Sequence, residues 1–356
     1  MKNSIRIAGA YVGLIVGAGF ASGQEILQFF TSFGWAGTFG VALATALFAW
    51  LGMQITRWGC RLQAASHKEV IYFLCGRYLG RVVDWIVTFF LFGVTAVMIA
   101  GAGSIFAQQF GFPIVVGSSL IALLTLLTLL LDVQRIVTVI GSITPFLVGM
   151  ALLIALYSWI TADVAGESLA KPELSAASHW SLGALLYGSY NIAAGVAMLA
   201  VIGGTVRNVK TAERGGLLGG LGLGLLILLI HLGMLSQIDQ VAAVDMPTLF
   251  LADRIAPWLA MLMAVILLGM IFNTAVGMLY AFSTRLVPPN HPHFKGYIIL
   301  FTVAAFVASF VGFTRLVGTV YPVMGYLGFI LIGSLVLQWF RSRFTSAKEE
   351  SIELSP

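Results

Sequence analysis

The sequence predicts an all-α integral membrane protein, a single membrane domain of ten transmembrane helices over residues 1–356. Three observations carry this reading. Hydrophobic residues make up 59% of the chain and charged residues only 9%, against roughly 25% charged in a soluble domain, which excludes a soluble globular enzyme. Residues 26–56, 85–131, 136–162 and 255–284 hold no charged side chain, and each stretch is long enough for at least one span of roughly 20 residues. These stretches are continuous rather than alternating in and out, which excludes a β-barrel. The 40 glycines suit helices that pack backbone to backbone in lipid.

Dividing the apolar runs at charges, prolines and glycine turns places the spans at 5–31, 37–57, 82–110, 113–131, 136–161, 181–205, 213–237, 248–284, 296–313 and 317–340. The run from 85 to 131 must be two helices, because a single one would be roughly 70 Å long, more than twice the hydrocarbon thickness. Gly111-Phe112-Pro113 is its natural break. Lys2 and Arg6 precede an apolar run without a small-x-small cleavage site, so the first span is read as retained.

With the N-terminus in the cytoplasm, an even count of spans returns the C-terminus to the same side. Of the 19 Lys and Arg residues, only Lys171, Arg254 and Arg315 then fall outside. Such an asymmetry supports that orientation. The net charge of +5 thus reflects topology rather than a nucleic-acid partner. Asp163, Glu167, Glu173, Asp239 and Asp245 fall in the outer loops. Cys60 and Cys75 flank a cytoplasmic loop and are expected as reduced thiols. Residues 344–356 read as a short charged cytoplasmic tail, disordered by composition.

The longest outer loop, about 162–180, divides the spans five and five, giving halves 5–161 and 181–340. Five is odd, so the halves enter the membrane from opposite sides, as an inverted repeat requires, with the first helix of each half supplying a midplane site. The first span reads Gly17-Ala18-Gly19-Phe20-Ala21-Ser22-Gly23-Gln24-Glu25, and the sixth reads Tyr187-Gly188-Ser189-Tyr190-Asn191 before Gly195. Glycine costs about 1 kcal/mol relative to alanine within a helix. Both segments are therefore expected to be interrupted, near Val16–Gly23 and Tyr190–Gly195. The alternative for Gly9, Gly13 and Gly17 is a packing stripe, the reading adopted for Gly215/Gly219 and Gly216/Gly220 in the seventh span.

Glu25 is the only carboxylate well inside the first six spans. An ionised carboxylate there must be paired, solvated by a cavity or protonated, unless it serves as a capping-box partner of Ser22. Asn191 and Asn273 are either interhelical hydrogen-bonding groups or site residues. His231 reads as a satisfied interhelical histidine, while Asp84 and Asp132 read as caps or interface residues. Tyr11, Tyr187, Tyr190 and Tyr280 are candidates to wall a cavity. The sequence lacks H-E-x-x-H, G-x-S-x-G and P-loop patterns, and His291-Pro292-His293 has too few partners for a metal. An intramembrane enzyme is therefore not expected.

With VGAGFASGQEILQFF on the first helix, the sequence resembles the YkvI-like family of bacterial membrane proteins, grouped with amino acid permeases of the amino acid–polyamine–organocation superfamily. The resemblance implies a LeuT-like fold, with helices one and six unwound at mid-membrane around a substrate site. Carried over by position, that site comprises Val16, Gly17, Ala18, Gly19, Phe20, Ser22 and Gly23 with Tyr190, Asn191 and Ala194. Where sodium is coupled in this fold, a site lies between the first helix and hydroxyls of the eighth; this chain has Asn273-Thr274 there, with first-helix carbonyls. Proton-coupled relatives can carry a lysine on the fifth helix; this span has none, only Ser142 and Thr144 beside Pro145. The implied function is a secondary active transporter of a small amino acid or related amine in the bacterial cytoplasmic membrane, coupled to proton or sodium through Glu25 or Asn273 and Thr274. No other cofactor is expected, and the partners are the small-molecule substrate and the lipid bilayer. A ligand-binding sensor or a channel on the same scaffold remains the alternative.

Overall fold

A computed structural model describes residues 2–64, 67–131, 144–161 and 170–353. Asp132, Arg135, Ser142, Asp163, Glu167 and the start of the fifth span lie outside these residues, as do the side chains of Cys75 and Thr144. Among the described residues the regular structure is helical: α1 (Lys2–Ile15), α2 (Ala18–Ser22), α3 (Gln24–Phe29), α4 (Ala36–Leu62), α5 (His67–Phe110), α6 (Ile114–Leu130), α7 (Thr144–Ile160), α8 (Trp180–Gly204), α9 (Val209–Leu235), α10 (Ile238–Val241), α11 (Pro247–Ile255), α12 (Pro257–Leu286), α13 (Phe294–Ser309) and α14 (Phe313–Glu353). Five stretches are long and apolar enough to cross a membrane, namely Ala36–Leu62, Gly80–Phe110, Val209–Leu235, Pro257–Leu286 and Phe313–Leu337, and α8 adds a bent sixth.

The first span is divided where its glycines lie. Val16 and Gly17 leave the helix, Gly17 being extended (φ −101°, ψ −173°), and Gly23 adopts φ 81°, a left-handed conformation that costs glycine little. The freed backbone is partly satisfied from elsewhere, with Thr248 Oγ1 donating to the Ala21 carbonyl at 2.5 Å. The long apolar run breaks at Gly111 (φ 67°) and Pro113, between α5 and α6.

Several expected boundaries require correction. The eighth span, expected over 248–284, is two helices: Pro257 lacks an N–H and biases Ala256 toward its observed extended conformation (φ −163°, ψ 136°). The sixth span stays helical over Tyr190–Gly195 and is broken just beyond it. It holds a single glycine there, Asn191 Nδ2 bonds back to the Tyr187 carbonyl at 3.0 Å, and α8 bends by 57° only between Val196 and Met198. The tail expected to be disordered continues α14 to Glu353.

The helices pack in two groups. α1 and α4 each pack against α8 and α9, α5, α6, α12 and α13 contact one another, and α14 lies against both α8 and α5. Glycine brings α9 close to its neighbours: a Cβ on Gly216 would strike the Gly52 carbonyl, one on Gly219 would lie 2.6 Å from Tyr11 Cδ1, and one on Gly220 would strike the backbone at Phe48 and Ala49. Among the described residues, Gly9, Gly13 and Gly17 have nothing within 4 Å of such a Cβ, so they form no comparable stripe there. Arg285 Nη1 meets Asp84 Oδ1 at 3.1 Å, which makes Asp84 an interhelical partner.

Candidate functional site

The interruption of the first span opens onto a cavity of about 450 Å³ between α1–α3, α5, α8, α12 and α14. Val16, Gly17, Ala18, Gly19 and Glu25 line it from the first span, Tyr190, Asn191 and Ala194 from the sixth, and Asn273 and Thr274 from the eighth. The remaining expected site residues lie elsewhere. Phe20 is in the core, and Ser22 Oγ donates to the Gly19 carbonyl at 2.7 Å while accepting from Gln24 N. Gly23 turns against Thr248 and Pro247.

Glu25 forms no capping box with Ser22. Gly23 precedes α3 instead, and the Glu25 carboxylate, 6% exposed, points into the cavity. Tyr190 donates its hydroxyl to Glu25 Oε2 at 2.5 Å, and the Tyr321 hydroxyl faces the same carboxylate. The two tyrosine rings stack with centroids 4.8 Å apart and planes 9° apart, and Phe90 lies 6.4 Å from Tyr190 and 6.2 Å from Tyr321. Gly19 makes room for the carboxylate, since a Cβ there would fall on Glu25 Oε1. Asn191 donates one amide N–H to its own helix, whereas Asn273 Oδ1 is buried with no hydrogen-bond partner among the described residues.

The lining follows the Gly13–Ala18 side of the first span, the Ala194–Met198 part of α8 and the Met270–Met278 part of α12. On the other side of Glu25 a polar network closes the structure. Asp245 accepts from Ser104 Oγ at 2.7 Å and Thr314 Oγ1 at 2.5 Å, and Gln24 and Gln28 reach Thr314 at 3.4 and 3.0 Å. Farther out, Lys171 pairs with Asp239 at 2.7 Å, and that carboxylate raises the pKa of the lysine.

Other polar residues have structural partners. His231 sits between Thr31 Oγ1 (3.0 Å) and Thr38 Oγ1 (3.1 Å). Tyr11 donates to the Phe48 carbonyl and Tyr187 packs among Phe29, Phe30 and Phe48, whereas Tyr280 is exposed. Cys60 is a buried free thiol. No cluster of potential metal ligands occurs among the described residues. Sequence reasoning missed Tyr321, Phe90 and the Asp245–Thr314 network, because aromatic residues are ordinary in spans and nothing local reveals which face they occupy.

Comparison with known proteins places this geometry in a family. The chain is 30% identical over 331 residues to "Uncharacterized membrane protein YkvI" of Bacillus subtilis (strain 168), covering 93% of this chain and 94% of the relative. It belongs to the YkvI family. A second relative from the same organism, "Uncharacterized protein YyaD", is 28% identical over 327 residues, covering 92% of this chain and 94% of the relative. No protein-family model matches the sequence. Among solved structures, a point mutant of the Eremococcus coleocola manganese transporter superposes with a TM-score of 0.59 at 16% identity, covering 94% of this chain and 77% of that one. The inward-facing conformation of Mhp1 gives 0.55 at 14% identity, covering 91% and 73%. This YkvI-family chain therefore has the LeuT fold, at identities that speak to fold alone.

Proposed function

We propose that this YkvI-family protein is a secondary active transporter of a small amino acid or related amine, with alternating access around the cavity between the first and sixth spans and coupling to a proton or sodium gradient. The observation that carries the proposal is Glu25, a carboxylate buried beside the interruption of the first span and held from the sixth span by Tyr190. An intramembrane carboxylate on a cavity can exchange its partner, taking a proton in one state and a cation in another. The unpartnered Asn273 Oδ1, with Thr274 and first-span carbonyls, is the second coupling candidate and would suit sodium.

The two packing groups support a 5+5 inverted repeat of ten spans over 5–161 and 181–340. Spans one, two, six and seven form one group and spans three, four, eight and nine the other, each set related by a step of five. With both termini in the cytoplasm, as the basic residues favour, the cavity extends inward from Glu25 while the Asp245–Thr314 network closes the outer side. Rocking one group against the other would exchange these conditions. Reconstitution of the purified protein into liposomes tests the reading: saturable uptake of labelled amino acids or amines under an imposed proton or sodium gradient is expected. Absence of such uptake, with or without ligand binding, would overturn it.

A further inference from the structure

We infer that the cavity accepts an organic cation, an amine protonated at neutral pH and lacking a carboxylate, with its ammonium group paired to Glu25. This rests on the proposed transport reading of the same cavity and narrows its cargo.

The charge of the lining is the first reason. Among the described residues, Glu25 is the one charged side chain on the cavity, and no Lys, Arg or His accompanies it. A zwitterionic amino acid would bring a carboxylate with no cationic partner into a space already holding one, and a buried unpaired charge is costly. An amine brings the missing positive charge alone.

The position of Glu25 is the second. Its Oε1 lies over the α-carbon of Gly19, beside the interrupted backbone, and the Tyr321 hydroxyl is 3.3 Å from a Cβ built there. The chain's own carboxylate thus occupies the space in which a ligand carboxylate would have to approach that backbone.

Free hydrogen-bonding capacity gives the third reason. Asn191 spends one of its two amide N–H donors on the Tyr187 carbonyl, while Asn273 Oδ1 is a buried acceptor without a donor among the described residues. A cavity offering acceptors suits a ligand that is rich in N–H. The stacked rings of Tyr190 and Tyr321, with Phe90 beside them, add aromatic faces that attract cations. Met98, Met198, Met270 and Met278 supply adaptable apolar wall for a hydrocarbon body. A bare metal cation would leave most of the 450 Å³ unfilled.

Two matched ligand sets test this on the purified full-length protein by calorimetric titration. Isobutylamine, valine and isovalerate share one carbon body, and phenethylamine, phenylalanine and 3-phenylpropanoate share a larger one. The expected result is that the amine of at least one set binds about tenfold more tightly than its amino acid, with the acid weakest. Glu25→Gln should weaken amine binding by a similar factor. Gly277→Lys tests the same point with Glu25 intact, because its Cβ meets open space at the cavity wall and it adds a tethered ammonium. Amine binding unchanged by both substitutions, amino acid or acid binding as tight as amine binding, or no amine binding at millimolar concentration to folded protein would overturn the inference. Amine binding without amine flux in liposomes would retain the cation site and overturn transport. Saturable amino acid flux without amine binding would do the reverse.

Discussion

Tyr190 of the sixth span donates its hydroxyl to Glu25 of the first at 2.5 Å, joining two residues 165 apart in sequence across the point where the first span is interrupted. The carboxylate is thereby held in place at the cavity wall. Tyr190→Phe would keep the ring stacked on Tyr321 while removing this donor. The expected outcome is a stability loss of about 1–3 kcal/mol in chemical denaturation, the usual cost of leaving a buried polar group short of a partner, with a steeper change in gradient-driven uptake than in binding.

The glycines of α9 and α1 should respond oppositely to a methyl group. Gly220→Ala would drive a Cβ into the Phe48–Ala49 backbone, which cannot yield as a side chain can, so a loss of about 1–3 kcal/mol or more is expected. Gly9→Ala meets open space within a helix and should gain roughly 0.5–1 kcal/mol. Thermal denaturation in detergent of the two variants beside the parent checks both signs.

His231 is expected to act in packing alone. Replacing it with Leu leaves Thr31 and Thr38 without their buried partner, at about 1–3 kcal/mol in stability, while the gradient dependence of uptake stays unchanged. Changed coupling in a well-folded His231→Leu protein would assign it a proton-relay role instead.

Thr314 bridges Asp245 and Gln24 on the closed side of the cavity. Thr314→Val removes that bridge and should favour the state open to the outside. A cysteine at Ala194, in a protein with Cys60 and Cys75 replaced by Ser, should then react several-fold faster with an impermeant thiol reagent applied from the outer face. An unchanged rate would show that this network does not hold the closure.

Much of the cavity's lining is legible in the sequence because its residues break rules of membrane helices. Clustered Gly17, Gly19 and Gly23 disfavour a continuous helix, and Glu25 is costly in lipid without a partner. Where the glycines are fewer the reading is less exact: the sixth span breaks just past Gly195 rather than within Tyr190–Gly195, where Asn191 bonds back to its own helix. Pro257 carries a boundary signal of its own, but the apolar run around it obscures the division into α11 and α12. Tyr321 and Phe90 belong to unremarkable apolar spans, and only tertiary packing turns them toward Glu25. Likewise Asp245 reads as an ordinary loop acid until Ser104 and Thr314 are brought to it.

In the proposed transporter, Glu25 couples movement of a ligand to an ion gradient. The most direct test of this coupling is uptake into liposomes by the parent and Glu25→Gln proteins side by side, with imposed proton and sodium gradients, using the amino acid and amine panel. Gln keeps the size of Glu but cannot ionise, so saturable, gradient-driven uptake is expected of the parent and, in the variant, uptake that no longer responds to the gradient. Identical gradient dependence in both proteins would contradict it.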